Sequence, residues 1–225
     1  MKQGLLAALF IARKDLRTEF RTKEALNASV SFALVVLMLF SFAFDLGREE
    51  FYDISGGLLW LVYVFAGALI VNRSFIREVP NDCLDVLIAS PMPAWALFLG
   101  KAIASFVLLL IVEVVSLPVY GLFNNLQWVH AFWPLFGVMI LATWGITITG
   151  VAFSAVTVNV KLRELMLPVL HYPLLIPLLI GAMQVSTALI KGEASDIGQE
   201  LRIVIVFDLI FTSLALYLIE FILVG

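Results

Sequence analysis

The stretch AWALFLGKAIASFVLLLIVEVVSLPVYGLF, residues 94–123, decides the fold class. Only Lys101 and Glu113 interrupt its apolar run. A helix needs ~20 such residues to cross a bilayer core. This one is long enough to tilt, break or extend beyond it. Five further stretches of the same kind flank it: Asn27–Phe44, Ile54–Val71, Phe132–Val158, Met166–Ile190 and Ile203–Val224. The reading is an all-α integral membrane protein with six transmembrane helices in one membrane domain.

Composition agrees. The 225 residues are 62% hydrophobic and 14% charged, against about 25% charged in soluble domains. Mean hydropathy is +1.05. Too few charges remain to clothe a soluble core of this size. The lone Cys83 excludes an intrachain disulfide and a cysteine metal cluster. No cleavable signal is evident, because a charged stretch follows the first short apolar run.

Lysine and arginine set the orientation. All but three of the 14 basic residues fall on one side; Arg48, Lys191 and Arg202 are the exceptions. The positive-inside rule therefore predicts that both termini are cytoplasmic.

Two elements stand out on that side. In the N-terminal arm, Leu5, Leu9, Ala12, Leu16 and Phe20 follow helical spacing and share one face. Arg13, Lys14, Arg17 and Arg21 flank that stripe on one side, and Asp15 and Glu19 on the other. This predicts an amphipathic interfacial helix, with its bases near lipid phosphates and its acidic flank free for a protein partner. The second element is the loop 72–93. Pro80 ends the preceding helix, Asn81 or Asp82 caps a new one, and Asp85 suits its first turn. Leu84, Leu87 and Ile88 give it a small apolar face, and Pro91 and Pro93 stop it.

The ordered set of these residues resembles the haem exporter protein B (CcmB-type) family across nearly the whole chain. The likeness lies in Arg13–Arg21, Arg73-x-Phe75, Leu84-Asp85-x-Leu87, Pro91-x-Pro93 with Lys101 downstream, and Pro173–Ile180. The resemblance implies an ABC-2-type permease paired as a dimer in a bacterial inner membrane. It also implies a separate cytoplasmic ABC ATPase, a haem-handling membrane protein and a periplasmic haem chaperone. Haem would belong to the complex and ATP to the partner subunit, with no nucleic acid involved. Arg73, Phe75, Glu78, Asp82, Leu84, Asp85, Leu87, Pro91 and Pro93 would form the ATPase-coupling loop. The work done would be haem export or release of the haem-loaded chaperone. An ABC-2 permease for a lipid, polysaccharide or drug stays open as an alternative. So does a proton-coupled secondary transporter built on Glu113, although no inverted repeat is visible.

Catalytic motifs are missing from the sequence. Gly100-Lys101 is followed by Ala102, and Trp95 holds the first glycine position, so there is no phosphate-cradling loop. The chain reads as a non-catalytic subunit. Lys101 is expected to snorkel towards the membrane surface. Glu113, His171 and Asp208 are the candidate intramembrane polar groups, each expected to find a structural partner. For His171 that partner is a backbone carbonyl freed by proline. His130 reads as part of an aromatic belt rather than a haem ligand. Pro168, Pro173 and Pro177 predict that the fifth crossing is kinked or broken; a static kink is favoured over a hinge.

Overall fold

The computed structural model describes residues 2–43, 48–76, 78, 87, 92–124, 126, 129–158, 163–193 and 197–224. The helices among them are α1 Lys2–Thr22, α2 Glu24–Ala43, α3 Arg48–Val71, α4 Arg73–Ile76, α5 Ala94–Phe123, α6 Phe132–Thr157, α7 Arg163–Lys191 and α8 Gly198–Val224. All but α1 and α4 are long and apolar enough to cross a membrane. They match the six predicted crossings, with ends shifted by a few residues.

The central helix is α6, which packs against α3, α5, α7 and α8, while α2 covers α3 and α5. Its sequence fits that place. Leu135, Met139, Ala142, Ile146, Ile148 and Val151 are buried, and so are Thr143, Thr147, Thr149 and Ser154 between them. In lipid, helices associate through close packing and internal hydrogen bonds rather than through exclusion of water. Hydroxyls therefore recur at the helix contacts. Trp60 Nε1 on α3 donates to Ser186 Oγ on α7 at 2.8 Å. Tyr120 on α5 donates to the Ser55 carbonyl on α3 at 3.1 Å. Trp144 Nε1 on α6 donates to Thr212 Oγ1 on α8 at 2.9 Å.

Of the kinked or broken fifth crossing that the prolines predict, the break is absent: α7 is one uninterrupted helix through Pro168, Pro173 and Pro177. A proline removes one intrahelical bond, but a helix held on both flanks, here by α3 and α6, need not part there.

Small residues set the closest approach in the bundle. A Cβ added at Gly56 would fall against Thr187 Oγ1 and within 2.5 Å of the Met183 carbonyl, so α3 and α7 meet backbone to backbone there. At Gly137 the same atom would meet nothing within 4 Å. Overpacking a tight contact costs about 1–3 kcal/mol. Gly56→Ala is therefore expected to lower the thermal midpoint of the detergent-solubilised protein. Gly137→Ala, as the matched control, should leave it where it was.

Candidate functional site

The site begins at a corner. Thr22 ends α1, Lys23 takes a left-handed backbone (φ 57°), and α2 starts at Glu24. Glu19 fixes this turn: its side chain is 1% exposed, and Oε1 accepts the Leu26 amide at 2.9 Å. A carboxylate at a helix N-terminus satisfies an otherwise orphan donor and meets the positive end of the helix dipole.

From that corner the arm runs along the start of α5. Its buried face is Gly4, Ala8, Ile11, Ala12 and Glu19, with Asp15 partly covered. On the α5 side, a Cβ at Gly100 would lie 2.6 Å from the Ala8 carbonyl. The predicted stripe is divided: Ala12 and Leu16 turn to the bundle, while Leu5, Leu9 and Phe20 are about half exposed, because close helix contact selects small residues and leaves the large apolar ones outward. The acidic flank is corrected, since Asp15 and Glu19 face the protein's own bundle.

What they face is an ion cluster. Lys101 on α5 is 1% exposed, with Nζ 2.7 Å from Glu78 Oε2 and 3.4 Å from Asp15 Oδ2. The same nitrogen donates to the Ser74 carbonyl at 2.6 Å and lies 5.0 Å from the centre of the buried Phe75 ring. Lys14 on the arm pairs with Glu78 Oε1 at 2.5 Å and with Asp15 at 3.1 Å. Two bases thus meet two acids, and three segments are joined: α1, the stretch 73–78, and α5. A cavity of about 250 Å³ opens beside them, reaching Ser105 and Leu108 along α5. Lys101 does not snorkel; its countercharges lie inside the bundle and hold it there.

Burial would raise the Glu78 carboxyl, but Lys101 and Lys14 outweigh it and hold the group below its ordinary range. For Lys14, burial works to lower its value, yet Glu78 and Asp15 outweigh it and the ammonium is held above its ordinary range. The stability contributed by Glu78 is therefore present above the usual carboxylate range. It is lost as pH falls through the depressed value. That from Lys14 is present below the usual lysine range and is lost as pH rises through the raised value. The cluster is intact across neutral pH.

The other expected site residues fall as follows. Arg73 pairs with Glu24 at 2.9 Å at an exposed position, which is worth little energetically. Leu87 packs on the buried cluster that contains Phe75, Leu97 and Phe98. Pro93 stands in extended backbone immediately before α5. Asp82, Leu84, Asp85 and Pro91, with the predicted short helix around them, lie outside the described residues. Arg13, Arg17 and Arg21 are exposed.

Within the bundle, Glu113 accepts from Thr143 on α6 at 2.5 Å, so it does bond a neighbouring helix. His171 is fully buried, with Nε2 2.9 Å from Thr149 Oγ1 on α6. Its partner is thus a hydroxyl on another helix and not a carbonyl of its own. Asp208 departs from the pairing expected of it. Both carboxyl oxygens are buried without a hydrogen-bond partner among the described residues, and a Cβ at Gly145 would lie 2.5 Å from Oδ1. His130 is exposed in the turn before α6. Among the described residues, no group of three or more His, Cys, Asp or Glu side chains is placed to hold a metal ion.

Sequence reasoning missed the Lys14–Asp15–Glu78–Lys101 cluster, because its members lie up to 87 positions apart. The available signal was Lys101 itself, a charge inside an apolar run with two acids on the arm to serve it.

Six crossing helices, an arm packed along the third of them and an ion-paired connecting segment make this an ABC-2-type permease subunit. The profile of the CcmB protein family matches residues 6–221. Curated relatives named heme exporter protein B run along most of the chain. The protein from Rhodobacter capsulatus is 28% identical over 184 residues, 82% of this chain and 84% of the relative. That from Bradyrhizobium diazoefficiens is 29% identical over 185 residues, 82% and 83%. That from Paracoccus denitrificans is 28% identical over 167 residues, 74% and 76%. The chain belongs to the CcmB family, and it is a permease subunit rather than an enzyme.

Removing one partner of a buried ion pair typically costs about 3–5 kcal/mol, because the other charge is left behind. Lys101→Ala should accordingly lower the thermal midpoint and expose the arm to proteolysis at neutral pH. The Lys101→Ala/Glu78→Ala double variant should recover part of that loss. Strictly additive effects in this double-mutant cycle would mean that the two side chains do not couple.

Proposed function

We propose that this subunit turns ATP hydrolysis by a separate cytoplasmic ATPase into movement of the six-helix bundle, and that the work is delivered on the far side as haem export or release of a haem-loaded chaperone. As a CcmB-family member, the chain is the membrane subunit of an ABC complex for cytochrome c maturation. Its proposed place is the bacterial inner membrane with both termini cytoplasmic, as the distribution of lysine and arginine supports. The proposed partners are the ATPase, a haem-handling membrane protein, a periplasmic haem chaperone and a second copy of the chain.

The observation that carries this reading is the cluster around Lys101. The ATPase would grip the segment 72–93, where Arg73, Phe75, Glu78 and Leu87 stand. Displacement of that segment passes to α5 through the Lys101 contacts with Glu78 and the Ser74 carbonyl. It passes to α6 through Ser74 Oγ, which donates to Ser154 Oγ at 3.1 Å, and to the arm through Lys14. One movement thereby reaches three helices.

Replacing Leu84 and Leu87 with Asp tests the grip. The ATPase is expected to be lost from the complex purified in mild detergent, while the permease itself still inserts. A complex that assembles with full ATP hydrolysis and haem delivery would show the grip to be elsewhere. Recovery of no ATPase from an intact, crosslinked wild-type complex would sink the ABC reading as a whole.

A further inference from the structure

The outward surface of α1 changes character along its length. Over the first turns it is apolar: Leu5, Leu6, Leu9 and Phe10 are 49–65% exposed. Beyond them it is basic, with Arg13, Arg17 and Arg21 all exposed. Spacing of four residues puts one guanidinium on each turn, a row of about 12 Å. None of the three pairs with a carboxylate among the described residues; the local acids Asp15 and Glu78 are taken by Lys14 and Lys101, and Glu24 by Arg73. Phe20, 47% exposed, stands beside the row. A soluble partner would suit the charges but not the bare leucines and phenylalanines on the same surface. A membrane suits both, with an apolar end below the headgroups and a guanidinium row at the depth of the phosphates.

We propose that Arg13, Arg17 and Arg21 form a binding row for the headgroups of anionic phospholipids. Asp15, on the side of the same helix turned to the bundle, and Lys14, which reaches in from beside the row, belong to the Lys101 cluster. Lipid held by the row therefore steadies the arm against the coupling segment. That consequence rests on the coupling function proposed above; the lipid row itself does not.

The purified chain is placed in vesicles of phosphatidylcholine mixed with phosphatidylglycerol, extracted gently, and its retained lipids are counted by native mass spectrometry. The wild type should enrich phosphatidylglycerol. With Arg13, Arg17 and Arg21 all changed to Gln, the preference should fall by about fivefold per side chain, on the order of a hundredfold in all. The matching triple Lys variant, which keeps the charge, should retain most of it. Equal enrichment in the wild type and the Gln variant overturns the proposal. So does displacement of phosphatidylglycerol by inorganic phosphate, which would mark a site for free anions. Loss of a protein subunit from the Gln variant with lipid preference unchanged would make the row a protein-docking surface and equally overturn it. Enrichment that depends on the arginines, with an ATPase rate in the assembled complex indifferent to phosphatidylglycerol, supports the lipid row and counts against the coupling function.

Discussion

A lysine ammonium with 1% exposure can be held near the start of a membrane helix only while acids face it. Much of the molecule's arrangement at this end follows from that constraint. Glu78 and Asp15 must come within reach, so the segment after α3 folds back over α5 and the arm lies along it. Ser74 turns its carbonyl to the same nitrogen, and Phe75 is buried against it. Glu19, further along the arm, in turn accepts the Leu26 amide in the first turn of α2. The arm is thus tied at Asp15 to the third crossing and at Glu19 to the first.

The same economy of polar groups runs up α6. A polar side chain in a membrane helix needs a partner on its own helix or on another, so those of α6 that bond outside it mark its protein contacts. Thr143 serves Glu113 on α5, Thr149 serves His171 on α7, and Ser154 serves Ser74 on the connecting segment. Trp144 reaches α8. The central helix therefore meets α5, α7, α8 and the connecting segment through directional bonds set in an apolar surface. Such contacts fix register without making the bundle rigid, since apolar packing around them tolerates small rotations more readily than a dense polar network does. Asp208 stands apart, pressed towards the Gly145 backbone with neither oxygen satisfied.

The six crossings were legible because a bilayer imposes a length and a composition, and 94–123 shows both without help from the rest of the chain. The identity of the lipid-facing side of the arm was half legible. Leu5 and Leu9 were rightly grouped, but helical spacing alone cannot say whether an apolar face meets lipid or protein. The buried face was chosen by residue size, and Gly4 and Ala8 carry too little hydrophobicity to register in such a pattern. Lys101 was misread for a related reason. Snorkelling is the default for a lone basic residue near a helix end, and only the fold brings Glu78 and Asp15 to it. Glu113 could be paired with a neighbouring helix from sequence, but Thr143 could not be named, because register between helices is a tertiary property. The three prolines of α7 overstated a break, since proline reports a missing bond and not whether flanking helices keep the helix continuous.

The length of α5 gives the cluster its mechanical meaning. Its 30 residues span about 45 Å, longer than a hydrocarbon core of about 30 Å, and the arm and the connecting segment meet its first turns. Lys101 sits in those turns, level with the arm and the connecting segment. A force applied there acts near one end of a long lever that carries Glu113 and Tyr120 further along. If the connecting segment slid past α5, Lys101 would lose its partners at a cost of several kcal/mol. If the segment carried α5 with it, the ion pairs would stay whole and only apolar contacts further up would readjust. The second course is the less costly, so in the coupling proposed above segment, arm and α5 would move as one body, and the bundle would yield where its packing is least directional.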